Sequence, residues 1–218
     1  MLLAVAATEI EMQPFLARCK GAGESLRSLV SGVGPLETAL TLGLYLSRHG
    51  DDISRVLNFG VAGAYPDAVQ PAALLDVCLA ETEIIGDYGL CFEDRIEPLP
   101  GELGGPHRFS LDQGLLQSAQ EALFRENIQI RMGTFVTVSC SSSCASRARM
   151  LAERFGGLCE NMEGAAVARV CREFSLPLLE LRAISNMVED RDVARWRLED
   201  ACETVSGAAA LLVAQKVV

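Results

Sequence analysis

No stretch rich in proline or serine and no block of like charge interrupts this 218-residue chain, so nothing marks a linker or a low-complexity tail. No internal repeat is visible. Aromatic residues make up only 6%, with a single tryptophan, and there are two histidines, His49 and His107. So few histidines leave Cys140 and Cys144 without the partners of a tetrahedral zinc site, and no metal is expected. Basic residues are outnumbered, 19 against 29 acids, for a formal net charge of -10. That balance argues against nucleic acid as a partner, because phosphate binding needs a basic surface that displaces counterions. The arginines within 147–154 and 191–197 are interleaved with acids and read as solvated helix faces. A long hydrophobic run is missing too. The first apolar stretch, Leu2 to Ala7, follows no basic region and is broken by Glu9 and Glu11, so it reads as a buried strand and no membrane partner is expected.

What is present is a chain half hydrophobic, rich in glycine and alanine, and long enough for one domain, residues 1–218, to bury a full core. Eight cysteines lie scattered among apolar neighbours. They suit small buried hydrophobes in a reducing compartment, and a cytoplasmic location is expected. Five apolar runs predict strands buried on both faces: Leu2–Ala6, Val56–Phe59, Leu74–Ala80, Gly133–Val138 and Leu178–Ile184. Helical patterns fall at Glu11–Cys19, Pro35–Ser47, Leu111–Glu126, Ser146–Phe155, Met162–Phe174 and Leu198–Val217. Alternation of the two predicts an α/β sandwich.

Thr8 is a good N-cap for the first helix, and Pro35 after Gly32-Val33-Gly34 is well placed in a first helical turn. Asn58-Phe59-Gly60-Val61-Ala62-Gly63 ends an apolar strand, where open parallel sheets place ligands. It does not fit Gly-x-Gly-x-x-Gly, and Tyr65-Pro66-Asp67 forestalls a following helix, so no dinucleotide cofactor is expected.

Three polar residues lie just past apolar strands that could share one sheet edge. Glu163 enters a helix of small residues, where a carboxylate is expensive to bury alone; it either caps the helix or accepts hydrogen bonds from a polyol. Asn186 follows the strand Leu178–Ile184, and Ser185-Asn186 is equally ordinary turn chemistry. Glu11 sits in a first helical turn, where acids are common.

Asn161-Met162-Glu163-Gly164-Ala165-Ala166 and Arg182-Ala183-Ile184-Ser185-Asn186 resemble the nucleoside phosphorylase/nucleosidase superfamily. Ala7-Thr8-Glu9-Ile10-Glu11, Ser31-Gly32-Val33-Gly34 and Gly60-Val61-Ala62-Gly63 extend the resemblance over nearly the whole chain. It looks most like the futalosine hydrolase branch, with the methylthioadenosine/S-adenosylhomocysteine nucleosidases as more general relatives. The resemblance implies a three-layer α/β/α sandwich around a central mixed sheet, a small-molecule nucleoside substrate, no cofactor, and a homo-oligomer, dimer or higher. It also implies that Glu11 activates water, that Met162 and Glu163 hold the ribose beside Gly63, and that the segment containing Thr137, Cys140 and Ser141 meets the base through its main chain.

Two departures refine this. The adenine-specific nucleosidases have an aspartic acid where this chain has Asn186, and an amide with two N–H donors suits a 6-oxopurine, whose N7 and O6 both accept. The glycine turns supply no arginine and Val61 stands where a hydroxyl is common, so water is favoured over phosphate as nucleophile. The remaining alternatives are an adenine-type nucleosidase, a phosphate-dependent phosphorylase, and a noncatalytic nucleoside-binding protein of the same fold. Asp190 and Asp192 read as loop-shaping or solvated acids, Trp196 as a cover for the site or a core anchor, and Arg95, Arg108 or Arg147 as partners for an anionic 5′ substituent.

Overall fold

The computed structural model describes residues 1–21, 23–97, 99–100 and 103–218. The strands are β1 (Leu2–Ala6), β2 (Leu26–Val30), β3 (Arg55–Ala64), β4 (Val77–Ile85), β5 (Leu90–Cys91), β6 (Ile96–Glu97), β7 (Arg108–Ser110), β8 (Ile130–Thr137), β9 (Gly157–Asn161) and β10 (Leu178–Met187). The helices are α1 (Glu9–Arg18), α2 (Pro35–His49), α3 (Gln113–Arg125), α4 (Ala145–Phe155), α5 (Gly164–Glu173) and α6 (Leu198–Ala214).

All five expected strands form, the first at its expected bounds and the other four with shifted ends. The run expected at Leu74–Ala80 starts late because Leu75 has φ 69°, a left-handed conformation no strand can hold, and it continues through Thr82 and Glu83 to Ile85. β3 extends to Ala64, well past the expected end at Phe59 and through Gly60 and Gly63. α5 begins at Gly164 rather than Met162.

Eight strands form one mixed sheet, as expected, while β5 and β6 pair separately. Parallel pairs β2–β1, β1–β3 and β3–β10 make one wing. β10 then pairs antiparallel with β4, β4 runs parallel to β8, β8 parallel to β9, and β9 returns antiparallel to β3. Five strands thus close on themselves, a curvature the alternating pattern does not reveal. α1 and α3 pack on α6, which lies against β3 and β10, whereas α2 packs on α5. The carboxyl ends of β1, β3 and β10 converge where α1, α5 and α6 begin, and this sets the site.

Of the eight cysteines, all unpaired, Cys78, Cys159, Cys171 and Cys202 are buried as expected; Cys91, Cys140 and Cys144 are exposed. Among the described residues, no helix is long and apolar enough to cross a membrane.

Candidate active site

A cavity of about 340 Å³ opens at this convergence. Thr8 caps α1 as expected: its Oγ1 accepts from the Glu11 N–H, and the Glu11 carboxylate reaches back to accept from Thr8 N (3.0 Å) and Thr8 Oγ1 (2.8 Å). The other Glu11 oxygen accepts from the Val61 N–H at 3.0 Å. Glu11 can come this close to β3 only because residue 60 is glycine: a Cβ there would lie 2.5 Å from Glu11 Oε1 and 2.8 Å from Arg182 Nη1. The buried carboxylate is therefore both part of a helix cap and part of the cavity wall.

Glu163 stands at the start of α5, yet its side chain does not cap the helix. Asn161 does that, its Oδ1 accepting from the Glu163 and Gly164 N–H groups at 2.9 and 2.7 Å. Freed from capping, Glu163 crosses toward α2, accepting from the Gly34 N–H at 3.1 Å and from Arg182 Nη1 at 3.4 Å.

Asn186 owes its place to a bulge. The register of β10 on β3 shifts between Ile184 and Asn186, so Asn186 stands opposite Gly63. A side chain at Gly63 would crowd Val188 Cγ2 at 2.7 Å and Asn186 Nδ2 at 3.1 Å. Ser185 Oγ donates to Asn186 Oδ1 at 2.9 Å, and Asn186 Nδ2 donates to the Met187 carbonyl at 3.3 Å. One amide hydrogen remains for a ligand.

Glu11, Glu163, Asn186, Gly63, Met162 and Ser141 all line this cavity. Thr137 and Cys140 do not. Thr137 is buried beneath α5, accepting from the Ala165 N–H at 2.7 Å, while Cys140 lies on an exposed loop held by Asp87 and Arg147. Asp190 and Asp192 shape loops, accepting from the Ala145 and Ala194 N–H groups. Trp196 forms part of the cavity wall, with the Arg191 guanidinium 4.8 Å above its ring.

The candidates for an anionic 5′ substituent sit elsewhere. Arg95 pairs with Asp94 and Glu97, Arg147 with Asp87, and Arg108 lines a separate cleft beside β7 and α5. The basic side chain on the cavity is Arg191, which the sequence left among solvated charges; among the described residues it has no ion-pair partner.

Sequence reasoning also missed a buried polar layer behind the cavity: Glu83, Asn161, Glu180 and Arg182, all 5% exposed or less. Arg182 Nε donates to Glu180 Oε1 at 2.9 Å. Burial alone would lower the Arg182 guanidinium pKa, but the carboxylates of Glu180, Glu163 and Glu11 outweigh it and hold the charge firmly in place. A signal existed: Glu180 and Arg182 alternate on one face of a strand whose other residues from Leu178 to Ile184 are all apolar, where unpaired charge is not tolerated.

A curved mixed sheet with two carboxylates and an amide at its strand ends defines a nucleoside-processing class, and the chain belongs to the phosphorylase superfamily, whose family model matches residues 13–217. It is 34% identical over 194 residues to the futalosine hydrolase of Thermus thermophilus, covering 86% of this chain and 81% of that one. A 5'-methylthioadenosine/S-adenosylhomocysteine nucleosidase of Bacillus anthracis is 28% identical over 169 residues, 76% of this chain and 70% of the relative. In fold, the chain matches a futalosine hydrolase mutant of Helicobacter pylori with a TM-score of 0.85 at 21% identity, over 98% of each chain. A Helicobacter pylori 5'-methylthioadenosine/S-adenosyl homocysteine nucleosidase complex gives a TM-score of 0.84 at 20% identity, over 98% of this chain and 97% of that one.

Proposed function

We propose that the protein hydrolyses the N-glycosidic bond of a 6-oxopurine nucleoside, with futalosine as substrate. Hypoxanthine leaves, and the sugar keeps its 5′ substituent, as an alternative menaquinone route requires. The observation that carries this reading is one cavity holding Glu11, Glu163 and Asn186 in a chain 34% identical to a futalosine hydrolase.

Each carboxylate has acceptor capacity to spare, since two oxygens offer about four lone-pair sites. Glu11 uses three for Thr8 and Val61, leaving one to take a proton from water as its oxygen attacks C1′. Glu163 uses two, leaving two for ribose hydroxyls, with Met162 beside the sugar. The C1′–N9 bond breaks through an oxocarbenium-like state whose positive charge both carboxylates stabilise. Asn186 cannot donate a full proton. Its free N–H stabilises charge gathering on the purine, which takes its proton from solvent or another group.

Water is the nucleophile in this reading because Arg182 is committed to carboxylates and Arg191 stands alone, so a phosphate dianion finds no bidentate clamp. Arg191 is instead the basic group that futalosine's carboxylated aromatic 5′ tail would meet.

Product analysis with futalosine, methylthioadenosine and inosine, each with and without phosphate, tests the reading. Hypoxanthine released from futalosine without phosphate, and methylthioadenosine untouched, is the expected result; adenine release or a strict need for phosphate overturns it. In the same assay Asn186→Asp is expected to shift kcat/KM toward adenine nucleosides by roughly ten- to a hundredfold, because an adenine amine facing the one free amide N–H leaves both groups unpaired at roughly 1–3 kcal/mol each. An unchanged ratio would count against Asn186 as the base-reading residue.

The enzyme is also proposed to be a homo-oligomer. Leu36, Leu40 and Leu44 are 77%, 55% and 47% exposed along one stripe of α2, and exposed Val33 carries that stripe to the cavity lining. Light scattering at micromolar concentration is expected to give a dimer or larger; a monomer that hydrolyses substrate at full rate removes the proposal. Eight unpaired cysteines fit a cytoplasmic setting.

A further inference from the structure

Glu83 is a fully buried carboxyl group that the reaction above does not use. It projects from β4 beneath the first turn of α5. Its Oε1 accepts from Asn161 Nδ2 at 2.6 Å, and its Oε2 lies 2.8 Å from Thr137 Oγ1. Thr137 Oγ1 accepts from the Ala165 N–H and also lies 3.3 Å from Asn161 Oδ1.

A hydroxyl has one hydrogen, so Thr137 cannot donate to both Glu83 and Asn161. If Glu83 were ionised, Thr137 would donate to it, and Asn161 Oδ1 would keep only the Glu163 and Gly164 N–H groups and Arg182 Nη2 as donors. If Glu83 carries a proton, a ring closes with every contact served: Glu83 O–H to Thr137, Thr137 O–H to Asn161, Asn161 N–H to Glu83.

The charged surroundings agree. β10 presents Glu180 and Arg182, β9 presents Cys159, and the turn into α5 presents Glu163 beyond Arg182. A Cβ at Gly164 would overlap Glu83 Oε1 and crowd Glu180 Oε1, so the two carboxyl groups converge on one point. The Arg182 guanidinium pairs with Glu180 and Glu163, not with Glu83. Burial first, and the Glu180 charge second, hold the Glu83 carboxyl pKa well above the usual carboxylate range against the opposing pull of the Thr137 and Asn161 hydrogen bonds and the Arg182 charge.

We propose that Glu83 is a positioning residue that keeps its proton at neutral pH and, by orienting the Asn161 amide, fixes the backbone that carries Met162 and Glu163. The link is the Asn161 Oδ1, which the ring turns toward the Glu163 and Gly164 N–H groups. The kinetic half of this proposal rests on the nucleosidase reading above; the protonation half does not.

The test uses the full chain with Glu83→Gln and Glu83→Leu. Glutamine reproduces the neutral acid, one donor toward Thr137 and one acceptor toward Asn161. A group protonated in the folded state but ionised when unfolded costs stability as pH rises above the unfolded value, until the folded value is reached. Wild type is therefore expected to lose thermal stability relative to Glu83→Gln between pH 5 and pH 8, the midpoints separating by a few degrees at the alkaline end. Glu83→Gln is expected to keep kcat within about threefold, whereas Glu83→Leu loses about thirtyfold or more in kcat with a smaller change in KM. A Glu83→Gln protein destabilised equally at every pH, or as slow as Glu83→Leu, overturns the proposal. Should Glu83→Leu fail to fold, the pH slope and activity of Glu83→Gln decide alone. Should wild type cleave no nucleoside, the functional reading fails, and the pH slope still decides where the proton is.

Discussion

Replacing Glu11 with glutamine is expected to cut kcat by about 10²- to 10⁴-fold while leaving KM within a few-fold, the signature of a lost general base. The side chain keeps its length and can still accept one of the hydrogen bonds from Thr8 or Val61. It cannot take a proton from water. Its amide also turns N–H toward a backbone or hydroxyl donor, so a stability loss of roughly 1–3 kcal/mol accompanies the kinetic one. Steady-state kinetics beside a thermal melt separate the two effects. A fall in kcat below about threefold would remove Glu11 from the reaction and leave it the role of a helix cap.

Arg182→Met is expected to be the most damaging single change to the fold, at about 3–5 kcal/mol, since removing one partner of a buried ion pair strands the other. Here one cation faces four carboxyl groups, those of Glu180, Glu163, Glu11 and Glu83. Methionine fills much of the space but offers no charge. Burial already raises the Glu180 carboxyl pKa even with Arg182 present, and the variant would raise it further. The folded variant would then bind protons that its unfolded chain releases, so its deficit is expected to shrink as pH falls from 7 toward 5. Urea unfolding at the two pH values measures this. A loss under about 1 kcal/mol, or one independent of pH, would show that the cluster is not held by its cation.

The sequence made the α/β alternation and the three principal site residues legible because each rests on a local pattern. Strand runs buried on both faces announce themselves by continuous apolarity, and Glu11, Glu163 and Asn186 each follow such a run or open a small-residue helix. β2, with the sequence Leu-Arg-Ser-Leu-Val, and β9, Gly-Leu-Cys-Glu-Asn, were not legible. One is a half-exposed edge, and the other carries polar groups whose partners come from distant segments. Gly60 and Gly63 lie beyond the expected strand end at Phe59, yet they sit within β3, where they leave room for Glu11 and Asn186. Thr137 fell on a segment correctly placed at the edge of β8, but whether a side chain faces ligand or packing depends on the strand's twist and not on its composition. Arg191 had only a charge-run context: its stacking on Trp196 is local, but its place on a cavity built from distant strands is tertiary.

The double attachment of Glu11 affects how relatives are to be compared. One carboxylate closes the cap of α1, ties that helix to β3, and faces the cavity. Selection for a folded first helix and selection for turnover therefore act on the same side chain and cannot relax independently. A descendant that abandoned chemistry would still be penalised for losing this glutamate, so its persistence records folding history as much as activity. Asn186 makes no helix cap, and its substitution pattern is the more faithful record of what a lineage cleaves.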